Sequence, residues 1–123
     1  MSNAPTVLMG LVPLIRAVVR SAASDTATTV TADDSGTLFV SLATGAHTYT
    51  LPAVAAAAGK CWLFFQADTT AAVLIASPAN DMIGGNTTAD VATSASTTGD
   101  CAMVVCDGTY YYLFAISGAW TVA

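Results

Sequence analysis

The chain has 123 residues, one domain's worth, and a formal net charge of −5. Charged residues are 9% against roughly 25% in ordinary globular domains, and hydrophobic residues are 54%, so a lone copy is short of polar groups with which to cover itself. Arg16, Arg20 and Lys60 are the only basic residues, and no uncharged apolar run reaches the length of a bilayer span, so neither nucleic acid nor a membrane is an expected partner.

Residues 1–24 (MSNAPTVLMGLVPLIRAVVRSAAS) differ from the rest and are assigned to an N-terminal apolar arm. No Lys or Arg precedes the apolar part, and Arg16 and Arg20 interrupt its end, which argues against a secretion signal. On a helical wheel Val7, Leu8, Leu11, Val12, Leu14, Ile15, Val18 and Val19 share one side, Arg16 and Arg20 lie opposite, and Met9 is the misfit. Gly10 and Pro13 cut that pattern, so a short helix over 13–22 and an extended arm both fit. Burying each large apolar side chain contributes roughly 1.5–3 kcal/mol. Ordering each residue costs about 1–2 kcal/mol, so an arm of more than 20 residues needs a host surface. Its contact residues are Val7, Leu8, Met9, Leu11, Val12, Leu14, Ile15, Arg16, Val18, Val19 and Arg20.

Residues 25–123 read as one all-β domain, an antiparallel β-sandwich or jelly-roll-like domain of short strands at roughly ten-residue spacing. Strands are expected at 26–31 (TATTVT) and 37–42 (TLFVSL), around a tight Asp33-Asp34-Ser35-Gly36 turn. At 47–51 (HTYTL) His47, Tyr49 and Leu51 share a face, and Pro52 ends the strand. The alanine-rich stretch 53–58 takes one helical turn, stopped by Gly59. The runs 60–67 (KCWLFFQA) and 71–77 (AAVLIAS) are apolar on both faces and belong in sheet centres. Residues 81–85 (DMIGG) turn, and 86–98 is a Thr/Ser/Ala-rich loop or weak edge strand.

The last stretch, 101–122, is a three-stranded meander. Asp107-Gly108 predicts a type I′ hairpin, and Ser117-Gly118 a second turn. With a two-residue loop, Val105 faces Tyr110 and Met103 faces Tyr112. One face then carries Cys101, Met103, Val105, Tyr110, Tyr112 and Phe114; the other carries Tyr111, Leu113, Trp120 and Val122. Both are apolar. A sandwich buries one face of each sheet, so the set Tyr111, Leu113, Trp120 and Val122 is assigned to contact between copies.

The sequence carries no sign of catalysis or of a cofactor. His47 is the single histidine, and nothing marks Ser41 or Asp33 as its partners. The aspartates sit beside glycine turns without the alternating ligands of a calcium loop, and the three cysteines and one histidine lack the paired spacing of zinc ligands. Cys101 and Cys106 are five apart on one strand and face opposite sides, so the thiols read as buried and reduced. The chain is read as a non-enzyme.

In order along the chain stand Thr31-Ala32-Asp33-Asp34-Ser35-Gly36-Thr37-Leu38-Phe39, Thr50-Leu51-Pro52, the apolar strand after Gly59, Asp81-Met82-Ile83-Gly84-Gly85 and Cys106-Asp107-Gly108-Thr109-Tyr110. This succession resembles a small β domain of tailed bacteriophages, the head decoration (cement) proteins, with related domains in tail fibres and spikes. The resemblance covers about 28–122 and omits the arm; Tyr110-Tyr111-Tyr112 stands where a Trp is expected. It implies a trimeric knob on the capsid exterior, assembled in the host cytoplasm, that binds the major capsid protein and is anchored through the arm. Two rivals are a tail-fibre or spike module and a carbohydrate-binding sandwich using Tyr110, Tyr112 or Trp62 as stacking platforms. A chain with its own Met1 reads as complete, which favours decoration over a fibre piece.

Overall fold

A computed structural model describes residues 15–68, 70–79 and 90–123. Two five-stranded sheets pack face to face as an all-β sandwich, as expected. Sheet A contains β1 (Ala17–Arg20), β3 (Thr37–Ser41), β5 (Cys61–Gln66), β8 (Cys101–Cys106) and β9 (Tyr111–Ser117), in that spatial order. Sheet B runs from β2 (Ala27–Thr29) through β4 (His47–Thr50), β6 (Val73–Ala76) and β7 (Val91–Thr93) to β10 (Thr121–Val122).

The antiparallel expectation holds for the C-terminal half alone. From β1 to β6 the chain alternates between the sheets, and each strand lies parallel to the one before it in the same sheet: β1, β3, β5 in one and β2, β4, β6 in the other. The chain thus winds through three turns, each strand's return path being a strand of the opposite sheet, and such crossovers are what parallel pairing requires. β7, β8, β9 and β10 then add antiparallel strands to the same end of both sheets. The result is five layers of two strands, with β1 and β2 at one end and β9 and β10 at the other.

Alternation sets the core. Phe39, Trp62, Phe64, Ala102, Val104, Cys106 and Tyr111 face inward from sheet A, and His47, Tyr49, Val73, Ile75 and Ala92 from sheet B. β5 and β6 are the central strands, which explains their continuous apolar runs. β7 is not an edge: it lies between β6 and β10, and Ala92 is buried.

The C-terminal meander differs from expectation in two ways. The Asp107-Gly108 connection is a four-residue loop, because Cys106 pairs with Tyr111, Val105 with Tyr112 and Met103 with Phe114. Asp107 Oδ1 accepts the N–H groups of Thr109 and Tyr110 (both 2.7 Å), and of the loop residues only Gly108 takes positive φ (92°), so no type I′ turn forms. The register moves by two residues, so every side chain keeps its face. After Gly118 the chain also crosses to sheet B, where β10 pairs with β7.

Of the arm's described part, 15–24, residues 17–20 are strand β1 and 23–24 turn. Arg16 N–H donates to the Gly36 carbonyl (2.7 Å), and β1 pairs with β3, so the sheet begins inside that segment. The contact residues Val7, Leu8, Met9, Leu11, Val12 and Leu14 lie outside the described residues, as does the 81–85 turn with its Asp81-Met82-Ile83-Gly84-Gly85 motif.

The motifs have local structural duties. Thr31 N–H and hydroxyl both donate to Asp34 Oδ2 (2.9 and 3.0 Å), which closes the turn before β3. Ser35 Oγ accepts the Cys61 N–H (3.1 Å), and Gly36 N–H donates to the Cys61 carbonyl (2.8 Å), which ties that turn to the start of β5. Tyr111, the residue after the last motif, donates its hydroxyl to the Pro52 carbonyl of the second. At the opposite end Gln66 Nε2 donates to the carbonyls of Asp68 (2.7 Å) and Ala71 (2.9 Å), and its Oε1 accepts from Ser94.

Asp100 Oδ2 accepts the N–H groups of Ala95 (3.0 Å) and Thr97 (3.2 Å), and its other oxygen lies against Gly118. A Cβ on Gly118, whose φ is +81°, would stand 1.9 Å from Asp100 Oδ1. Gly118→Ala is therefore expected to destabilise the domain by about 1–3 kcal/mol, read from urea unfolding; Gly118→Ala/Asp100→Ala should not recover the loss, because it removes the carboxylate that caps Ala95 and Thr97 and leaves the positive φ in place.

Candidate functional site

The two outer faces of the sandwich have different chemistry. Sheet B shows water mostly Thr: Thr29, Thr48, Thr50, Thr93 and Thr121 point outward, with Ala27, Leu74, Ala76 and Val91 between them. Sheet A shows an apolar surface. Register aligns Val18, Leu38, Leu63, Met103 and Phe114 in one outward row across all five strands. A second row holds Arg20, Val40, Phe65, Cys101 and Ser117, and a third holds Cys61, Val105 and Tyr112. Arg20 is the only charge in these rows and stands at their edge. A contiguous apolar face of this kind is a candidate interaction site.

Exposure rises toward the two edges of that sheet. Ile15, Val18 and Val19 on the β1 side are 38%, 57% and 47% exposed; Phe114 and Ile116 on β9 are 53% and 54%. Tyr110 and Tyr112 are also exposed. These seven are all the exposed large hydrophobic residues among those described. Ile116 stands beside an irregularity in the β8–β9 pairing, opposite Cys101 and Ala102.

The expected contact set Tyr111, Leu113, Trp120 and Val122 is corrected. Tyr111 is fully buried, and the other three pack against the same core. The sequence does mark both hairpin faces as apolar. It does not say which one meets sheet B, because that depends on how β10 crosses over. The outer set is Cys101, Met103, Val105, Tyr112 and Phe114, extended across β5 and β3 by Phe65, Leu38 and Val40, with Leu63 at the centre of the face only 9% exposed. Trp62 is fully buried beside Tyr111 (ring centroids 6.2 Å apart) and is not placed to stack on a sugar. Its indole N–H has no acceptor among the described residues.

His47 meets two hydroxyls inside the core. Nδ1 lies 3.0 Å from Ser41 Oγ, Nε2 lies 2.8 Å from Thr28 Oγ1, and the ring stacks on Tyr49 with centroids 4.2 Å apart. The fold thus brings Ser41 and His47 together, but both are buried, so the pair acts as a satisfied polar contact between the sheets. Burial holds the His47 pKa below its ordinary value, with the Asp25 charge partly opposing, and pushes the Tyr49 phenol up to about 12. Cys61 and Cys101 carry free thiols on the outer face, and burial raises the Cys101 pKa.

Among the described residues no pocket opens, no group of three or more His, Cys, Asp or Glu is placed to share a metal ion, and no helix is long and apolar enough to cross a membrane. No family model, curated protein or solved structure matches the chain.

The His47 environment sets a sign for pH. The unfolded chain takes up this proton near pH 6.5 and the folded one only at lower pH. The stability from the neutral ring is complete above about pH 6.5 and is lost as pH falls toward the folded pKa. The wild-type melting temperature should drop from about pH 7 to about pH 5.5, and His47→Gln should flatten that slope, as read by circular dichroism melts.

Proposed function

We propose that this protein is a structural virion component, a decoration protein that docks on the outside of a bacteriophage head and braces contacts between major capsid protein subunits. The observation that carries the reading is the apolar outer face of sheet A, set against the Thr-rich outer face of sheet B. Such a face favours a partner already assembled and broad enough to cover several strands. Each fully covered side chain contributes roughly 1.5–3 kcal/mol, less here because most are half-buried already. A handful of them is enough to meet an association cost of about 4–15 kcal/mol. A net charge of −5 suits the exterior of a head better than its DNA-filled interior.

In this reading the chain leading into β1 anchors the domain on the capsid subunits, and copies group as homotrimers. A tail-fibre or spike module is the second reading, favoured by one observation: among the described residues no strand pairs beyond either end of the stack of five layers. Either role is structural rather than catalytic.

Immunogold labelling of particles of the encoding phage should mark the head surface; label confined to the tail, or none on the particle, would overturn the first reading. On emptied heads, Met103→Lys and Val40→Lys should lower occupancy at least tenfold, while Thr50→Lys on the opposite face should leave it unchanged.

A further inference from the structure

The ends of the stack match each other. β9 is antiparallel to β8, which is antiparallel to β5, so β9 runs in the direction of β1, β3 and β5. In the other sheet β10 runs in the direction of β2, β4 and β6 for the same reason. Each sheet contributes five strands, so both advance by the same step of roughly 24 Å per copy at strand spacing. A second copy displaced along the stack would present β1 to β9 and β2 to β10 in the same parallel sense that pairs the first three layers.

The side chains at the two ends agree with this. The outward row that ends in Phe114 begins in Val18, and the row ending in Ser117 begins in Arg20. The row ending in Tyr112 runs back to Cys61 and the Gly36–Arg16 contact. Continuing these rows sets Val18 of the next copy beside Phe114, and Arg16 beside Tyr112. Tyr112 donates its hydroxyl to Asp107 Oδ2 (2.7 Å), so the cation arrives next to a carboxylate and over an aromatic ring. Bonds from the Tyr110 and Thr109 N–H groups and the Tyr112 hydroxyl hold the Asp107 carboxyl below its usual range, which keeps it charged.

The β9 edge of sheet A is undefended, whereas the β1 edge is short and carries Arg20. β9 is seven residues long (YYLFAIS) and has no charge and no proline, the devices that ordinarily blunt an edge strand. The exposed large hydrophobic residues lie on these two edges. We propose that copies of this chain stack end to end, the β9–β10 end of one against the β1–β2 end of the next, so that both sheets run on from copy to copy. The contact is head-to-tail, so it closes into a ring if each step carries enough rotation and otherwise grows as a fibre. It concerns the isolated protein and stands whether the particle site is the head or a fibre.

Sedimentation velocity from about 1 µM to about 1 mM tests it. The wild type should pass from monomer to larger species. A limit at three copies would mean a closed ring and continued growth an open fibre; both carry the head-to-tail contact. Val18→Lys blocks one end and Phe114→Lys the other, and both residues are more than half exposed, so folding should survive, as circular dichroism will report. Each variant alone should stay monomeric, and an equimolar mixture should form a dimer and nothing larger. If either variant fails to fold, Arg16→Glu, at an exposed position, should weaken association at least tenfold at low salt. A wild type that remains monomeric throughout would overturn the inference. So would a Val18→Lys protein that still dimerises alone, since that contact would be β9 to β9.

Discussion

Three rings hold the sandwich together. Phe39 of β3, Phe64 of β5 and Tyr49 of β4 form a triangle with centroids 5.4, 5.5 and 5.1 Å apart, two rings from one sheet and one from the other. Aromatic pairs at such distances add about 0.5–1.5 kcal/mol each beyond burial. The triangle also fixes phase. Once Phe39 and Phe64 point inward, Leu38, Val40, Leu63 and Phe65 must point outward, because successive strand residues alternate. His47 stacks on the same Tyr49 and bonds Ser41 across the interface, so a polar contact reinforces the ring cluster.

The apolar character of the outer face follows from that phase. A strand such as β5 (CWLFFQ) is apolar at nearly every position, so whichever set points inward, the other remains. Sheet B avoids the problem by placing Thr48 and Thr50 between and after His47 and Tyr49. One side of the sandwich is thus finished for water and the other is not. The 9% charged composition expresses the same asymmetry at the level of the whole chain. In the role proposed above, the outer face of sheet A would be the broad contact and the sheet edges the contacts between copies.

Much of this was legible in the residues. The strands of 37–41, 47–50, 61–66 and 73–76 follow alternation or apolar runs, the single turn before Gly59 follows from alanine and glycine, and the hairpin after Cys106 follows from Asp107-Gly108. Strand pairing was not legible. Gly45 and Pro52 mark where a strand ends, but a turn residue does not say whether the next strand returns beside its predecessor or crosses to the other sheet. The hairpin register slipped by two because the Asp107 side chain caps two amides and lengthens the loop, a competition between side chain and backbone that local propensity does not rank. The contact face was misassigned for a related reason: Tyr111 and Tyr112 are equally apolar in sequence, and alternation alone does not say which meets sheet B; in the fold Tyr111 pairs with the inward Cys106, packs on Trp62 and reaches Pro52 with its hydroxyl.

The cysteines offer a built-in report on the central claim that the outer face of sheet A is a contact surface. Cys61 and Cys101 are half-buried on that face, while Cys106 points into the core. Maleimide labelling at about pH 8.5, read residue by residue by mass spectrometry, would compare isolated protein with the assembled particle. Cys61 and Cys101 should label in isolation and be protected in the assembly, with Cys106 reacting only after denaturation. Equal labelling of Cys61 and Cys101 in both states would contradict the account.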